Sequence, residues 1–204
     1  GFTMSDTNIF NEKGCFLVKQ FLDQEAVDIF SKYLEYKIKR EEIIPIPADE
    51  EIDPLKVPSR LYYYADPLTE VFLTAKQESV ERVVGEKLLP TYSYVRVYQP
   101  GESLLPHVDR ESCEVSVTVN IAFKGENSPI YMHYKQNDPE KYTLNPGEAV
   151  IYKGCEALHW RQPLQEDQLV VQFMLHYVRE NGLNKRFVKD TRPNFGMSSK
   201  TRSL

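Results

Sequence analysis

Residues 107–123 read HVDRESCEVSVTVNIAF. The stretch opens with His107 and Asp109, two apart, and continues as an alternation. Val115, Val117, Val119 and Ile121 fall on one side, while Glu114, Ser116, Thr118 and Asn120 fall on the other. That period is a β-strand with one apolar face. Its polar face either meets solvent, as in many antiparallel sheets, or lines an interior space. Residues two apart on an extended chain project to the same side, so the imidazole of His107 and the carboxylate of Asp109 can share one cation.

Working outward, the same period recurs from Thr91 onward. TYSYVRVYQ (91–99), EVSVTVNIAF (114–123), PIYMHY (129–134), KYTLN (141–145), EAVIYKG (148–154), ALHWRQ (157–162) and DQLVVQFMLHYV (167–178) are strand-like. Gln99-Pro100-Gly101, residues 124–127, Asn137-Asp138-Pro139 and Asn145-Pro146-Gly147 separate them as turns. Short strands at this spacing predict a β-sandwich or jelly roll. The N-terminal part reads differently. After an extended piece near Phe16, Asp23 is placed to cap a helix whose Ala26, Val27, Phe30, Tyr33, Leu34 and Ile38 form one apolar face. Asp66-Pro67 opens a second helix that runs, with a break, to about Leu88. Residues 41–60 hold four prolines and many acids, and are expected to form a loop bordering a site. The expectation is one mainly β domain with flanking helices over residues 4–204. Its helical part covers 15–90, its jelly-roll core 91–178 and a basic tail 179–204.

Charge and composition narrow the function. From Arg179 to Leu204 seven basic residues stand against two acidic ones, so the tail carries +5 and the rest of the chain −10 out of the net −5. An acidic body argues against binding a phosphate backbone, and nucleic acid is not an expected partner. The tail is expected to be solvated. No apolar run reaches the length of a membrane span, and Gly1–Thr3 before Met4 read as an expression remnant. Three cysteines without a CxxC, and no signal peptide, lead to the expectation of a reducing, cytoplasmic setting.

The chain has four histidines: His107, His133, His159 and His176. His159 lies 52 residues after His107, on another strand-like stretch. Two histidines and one carboxylate make the facial set that leaves three neighbouring positions open on Fe(II). Tyr98-Gln99-Pro100-Gly101, His107-Val108-Asp109, the Thr118 strand, the Asn145–Ile151 turn and strand, and His159 come in that order. In this order they resemble the Fe(II)/2-oxoglutarate-dependent dioxygenases, specifically their prolyl-4-hydroxylase-like branch, over about residues 92–178.

The resemblance implies a double-stranded β-helix core with His107, Asp109 and His159 as metal ligands and catalytic centre. It implies Fe(II), 2-oxoglutarate and O2 as cofactor and co-substrates, with ascorbate in support. It also implies hydroxylation of a C–H bond, with succinate and CO2 as co-products. The substrate would be a peptidyl residue, proline among them, of a peptide or protein, or a small amino-acid-like metabolite. A carboxylate at Asp109 argues against halogenation. The family's cation some nine to twelve residues after the distal histidine is missing, since residues 168–171 are Gln-Leu-Val-Val. Arg161, two residues after His159, is the expected partner of the distal carboxylate, with Arg96 and Lys124 as alternatives. Tyr98, Thr118 and Asn120 are expected beside the co-substrate. His133 is expected to be a core or surface histidine and Trp160 to pack, while Arg110 is expected either to pair with Glu114 or to meet an anionic substrate. The missing cation also keeps open a catalytically silent jelly-roll module that binds a metal or a partner.

Overall fold

The computed structural model describes residues 5–40 and 61–197. The loop expected over 41–60, the remnant at Gly1–Thr3 and the last seven residues of the tail lie outside them. The helices are α1 (Asp6–Lys13), α2 (Gln24–Arg40), α3 (Pro67–Ala75) and α4 (Gln77–Val84). The strands are β1 (Cys15–Val18), β2 (Tyr62–Tyr64), β3 (Leu88–Tyr98), β4 (Leu104–His107), β5 (Val115–Lys124), β6 (Ile130–His133), β7 (Glu140–Tyr142), β8 (Ala149–Tyr152), β9 (Leu158–Arg161) and β10 (Leu169–Arg179).

Local chemistry sets the helices. Asp23 accepts the Ala26 N–H at 2.8 Å at the start of α2. Asp66 accepts the Leu68 and Thr69 N–H groups at 3.0 and 3.3 Å, with Pro67 in the first turn of α3. The expected break falls at Lys76, which closes α3 and opens α4. Helix α1 was not legible because it buries one side chain, Phe10, and carries no apolar stripe.

Two antiparallel sheets face each other. The larger runs β1-β8-β5-β10-β3-β2 and the smaller β4-β9-β6-β7. Every strand-like stretch of the sequence is a strand here, and the fold is the double-stranded β-helix that was expected. Strands β2 (Tyr-Tyr-Tyr) and β4 (Leu-Leu-Pro-His) show no alternation of apolar and polar residues, so no period marks them.

Alternation then divides the large sheet into two faces. Val117 and Val119 of β5, Val95 and Val97 of β3, and Phe173 and Leu175 of β10 pack against Phe30, Leu34 and Leu73 of the helices. Phe173 sits 5.1 Å from the ring of Phe30 and 5.4 Å from that of Phe72, centroid to centroid. The opposite face carries three cross-strand rungs: Tyr92–His176–Ser116–Tyr152, Tyr94–Met174–Thr118–Val150 and Arg96–Gln172–Asn120. Ser116, Thr118 and Asn120 are at most 4 % exposed. The polar stripe of the opening stretch therefore looks into the space between the sheets and not at solvent.

The basic tail departs from expectation. Residues 185–191 make two short helical turns across a kink at Val188, and Asp190 and Arg192 are buried. They are buried because each finds an opposite charge: Asp190 meets Arg110 at 2.7 Å and Arg192 meets Glu70 at 2.6 Å.

Candidate metal centre and cavity

His107 ends β4 and His159 lies on β9, and the two residues are cross-strand partners. The loop after β4 brings back Asp109, whose N–H donates to the Gly154 carbonyl at 2.8 Å. Asp109 Oδ1 stands 3.2 Å from His107 Nε2 and 3.1 Å from His159 Nε2. Two neighbouring ligands, each about 2.1 Å from one ion, stand about 3 Å apart, so these separations fit a shared cation. Each imidazole is also oriented. His107 Nδ1 donates to the Leu105 carbonyl at 2.7 Å and His159 Nδ1 to the Ala157 carbonyl at 2.9 Å. With Nδ1 tied to a carbonyl, each ring turns its Nε2 edge toward Asp109 Oδ1, as an N–H donor to the carboxylate when protonated there and as a lone pair when that proton is lost. Asp109 Oδ2 is buried without a hydrogen-bond partner. Burial pushes the Asp109 carboxyl up, but hydrogen bonds with His107 and His159 outweigh it and hold the group well below the usual carboxylate range. The bond to Asp109 raises His107. A cation that displaced the Nε2 protons would meet two imidazole nitrogens and one carboxylate oxygen converging on it, so His107, Asp109 and His159 could hold a metal ion.

Gly154 makes this approach feasible. A Cβ there would lie 2.1 Å from the Cys113 carbonyl and 2.9 Å from Asp109 Oδ2.

The three side chains close one end of a cavity of about 190 Å³ lined also by Tyr94, Arg96, Tyr98, Thr118, Tyr152, Gln172 and Met174. Tyr152 places its ring 4.9 Å from that of His159 and its hydroxyl 3.2 Å from Thr118 Oγ1. Two residues past His159, Arg161 is 3 % exposed. Its Nη1 donates to the Ser128 carbonyl at 2.6 Å and its Nη2 to Gln172 Oε1 at 2.8 Å. Arg96 donates to the Tyr98 hydroxyl and to the Ser103 carbonyl, both at 3.3 Å. Both guanidinium groups lie over the Tyr98 ring, at 3.9 Å for Arg96 and 4.9 Å for Arg161. The Nε of each is buried without a partner, and neither forms an ion pair with a carboxylate of the described residues. Burial, above all, pulls the Arg161 guanidinium below its ordinary value. Arg96 lines the cavity and Arg161 lies behind Tyr98 and Gln172, two cations without an anion among the described residues.

Three solved structures share this architecture. HygX from Streptomyces hygroscopicus, with nickel and 2-oxoglutarate bound, matches with a TM-score of 0.66 at 11% identity, over 89% of this chain and 88% of that one. A Pseudomonas putida prolyl-4-hydroxylase matches with a TM-score of 0.61 at 15% identity, over 83% and 96%. SnoK, a non-heme α-ketoglutarate-dependent carbocyclase from nogalamycin biosynthesis, matches with a TM-score of 0.64 at 13% identity, over 87% of each chain. This chain has the fold of the Fe(II)/2-oxoglutarate dioxygenases.

No family model matches the chain. An uncharacterized protein of Acanthamoeba polyphaga mimivirus is 25% identical over 149 residues, 71% of this chain. The chain spans 63% of that curated relative's length.

Within the dioxygenase fold, the sequence-derived residues separate into groups. His107, Asp109 and His159 meet, and Tyr98 and Thr118 line the cavity beside them. Arg161 lies behind the lining, next to Tyr98 and Gln172. Asn120 does not line the cavity. Its side-chain amide donates to the Leu144 carbonyl, and its backbone bonds Gly147 and Glu148, so it holds the turn before β8. Trp160 faces outward and stacks on Tyr131 at 5.5 Å. Arg110 pairs with Asp190 and Glu114 with Arg179, because the docked tail supplies a nearer carboxylate than the expected local pair.

His176 is buried beside the site, with Nδ1 2.7 Å from Ser116 Oγ, and burial pushes it down to about 4. Tyr152, Gln172 and Met174 carried no motif. The inward period of β8 and β10 was the available signal for them.

No helix among the described residues is long and apolar enough to cross a membrane.

Proposed function

We propose that this chain is an Fe(II)- and 2-oxoglutarate-dependent oxygenase that hydroxylates a C–H bond of a peptidyl residue or of a small amino-acid-like metabolite. The observation that carries the reading is the convergence of His107 Nε2, His159 Nε2 and Asp109 Oδ1 at 3.1–3.2 Å, with both Nδ1 atoms tied to carbonyls. His107, Asp109 and His159 would hold the iron. When bound, iron with 2-oxoglutarate and O2 supplies the oxidising power, and succinate and CO2 leave as co-products.

The remaining roles belong to the chain's own side chains. Arg161 lies one two-residue strand step past His159, about 6.6 Å. A five-carbon diacid reaches about 5 Å from end to end, so its distal carboxylate arrives at Arg161 and Arg96. The unpartnered Nε groups of these residues are available to it as charge-assisted donors. Tyr98 orients Arg96 through its hydroxyl and offers its ring to both cations. Thr118 and Tyr152 define the wall next to the metal. Tyr92, Tyr94 and Met174 also line the cavity, with Leu104 and Ile130, which gives the substrate an aromatic and aliphatic surface.

The test is an anaerobic titration of the protein with Fe(II) and 2-oxoglutarate, followed by air and assay of succinate. A visible charge-transfer band and succinate formation are expected. With a substrate in hand, a product that gains one oxygen atom identifies hydroxylation, and an isomer or a ring-closed product rejects it. Iron binding without 2-oxoglutarate binding would instead identify the silent metal-binding module that the missing late-strand cation suggested.

A further inference from the structure

The segment after β10 carries an unusual backbone. Lys189, Asp190 and Thr191 have φ of 56°, 52° and 61°, three consecutive non-glycine residues in the left-handed region. Such strain persists where the surroundings hold it, and here both sides are held. Arg192 donates to Glu70 at 2.6 Å and to the Thr91 carbonyl at 2.7 Å. Glu70 in turn accepts from the Ser93 N–H and hydroxyl at 2.9 and 2.8 Å, which anchors the segment to β3. One residue earlier in the segment is Thr191, and before it Asp190, whose carboxylate is 1 % exposed.

The partners of Asp190 lie at the metal loop. Arg110 Nη1 and Nη2 meet its two oxygens at 2.7 and 2.9 Å, and Ser112 Oγ donates at 2.9 Å. The Tyr64 hydroxyl donates to it as well. Arg110 directly follows the ligand Asp109, and its guanidinium lies 4.6 Å above the ring of Tyr92, a cavity-lining residue. The strained carboxylate therefore does two things. It pins the loop that presents Asp109, and it neutralises a cation one residue from a site built to receive another cation.

On the reading of the site given above, we infer that Asp190 is a positioning residue for the metal centre, acting through Arg110. The tail segment is a latch that keeps the Asp109 loop in its ligating form and matches the Arg110 charge. Without Asp190, a free guanidinium stands beside the carboxylate that the metal requires, and the loop loses its bidentate tether.

The experiment measures Fe(II) affinity anaerobically, and the Co(II) ligand-field spectrum, for the full chain and four variants. Asp190→Asn is expected to bind Fe(II) about 10- to 100-fold more weakly, the range for partners that orient metal ligands. The double variant Asp190→Asn/Arg110→Gln is expected to bind more tightly than Asp190→Asn alone, because the unmatched charge is gone. Val80→Ala, a fully buried site on α4, serves as a stability control and is expected to keep both affinity and spectrum. Tyr64→Phe removes a single donor and is expected to cost about 3-fold, which keeps the test open if Asp190→Asn does not fold.

Asp190→Asn, or failing that Tyr64→Phe, binding Fe(II) like the wild type would overturn the inference. So would a double variant that shows no recovery. A wild-type protein that binds no Fe(II) would sink the proposed function, whereas a wild type that binds Fe(II) beside an unaffected Asp190→Asn sinks this inference alone.

Discussion

Replacing Arg161 by methionine separates stability from binding at one side chain. The guanidinium is 3 % exposed and has no carboxylate partner among the described residues. Burying such a charge costs several kcal/mol. Its bonds to the Ser128 carbonyl at 2.6 Å and to Gln172 Oε1 at 2.8 Å offset this by about 1.5–3 kcal/mol each. Methionine fills a similar volume without the charge, but leaves those two acceptors without their donor at a cost of about 1–3 kcal/mol each. The opposing terms nearly cancel. The variant is expected within about 1–2 kcal/mol of the wild type, and a chain of this size shifts Tm by about 2–4 °C per kcal/mol. Binding has no such compensation. A carboxylate that loses a two-pronged cation loses about 3–6 kcal/mol, so 2-oxoglutarate affinity is expected to fall at least about 100-fold. Iron affinity is expected to stay, because Arg161 touches no ligand of the triad. The assay is the anaerobic titration of the visible charge-transfer band, with Tm from a thermal scan. An Arg161→Met protein with wild-type 2-oxoglutarate affinity would refute the assignment. The same titration on Arg96→Met then shows whether the cavity-lining arginine is the anchor instead.

Other expectations can be checked alongside. Asp109→Ala removes the carboxylate that meets both imidazoles and is expected to abolish Fe(II) binding at micromolar metal, measured by anaerobic titration. Gly154→Ala places a Cβ 2.1 Å from the Cys113 carbonyl and 2.9 Å from Asp109 Oδ2. A cost of about 1–3 kcal/mol in denaturant unfolding is expected, with iron affinity lowered about 10-fold or more. His176 is held near 4 by burial, below its unfolded value of about 6.5. The unfolded chain therefore binds a proton that the folded one does not between these values, and stability falls as pH drops from about 6.5 to 4. The loss is up to about 3 kcal/mol. Urea melts of wild type and His176→Gln across that range test this, and parallel curves would contradict it. Saturating the apo protein with Fe(II) at about 100 times its Kd is expected to raise Tm by about 5–10 °C.

Periodicity and turn residues made most of the architecture legible in the chain itself. Val115, Val117 and Val119 alternate with Ser116 and Thr118 whatever packs on them, and Asn145-Pro146-Gly147 breaks the chain whatever follows. These are local facts, and local rules suffice for them. The spacing of His107 and Asp109 was legible too, but a strand does not set their geometry: β4 ends at His107, and the loop after it brings Asp109 back.

Which face of β5 meets water was not local. Only the pairing of β4 with β9 roofs the polar rungs and sets His159 against His107. Asn120 shows the limit: its inward direction was legible, but its bond to Leu144 removed it from the cavity. The fate of Arg110 and of the basic tail lay equally out of reach. A carboxylate 80 residues away along the chain captures the guanidinium, and long-range electrostatics leaves no period in a sequence. The chain alone determined the strands and the candidate ligand types, whereas the tertiary structure decided which charges meet, because burial and opposite charge act through space and not along the backbone.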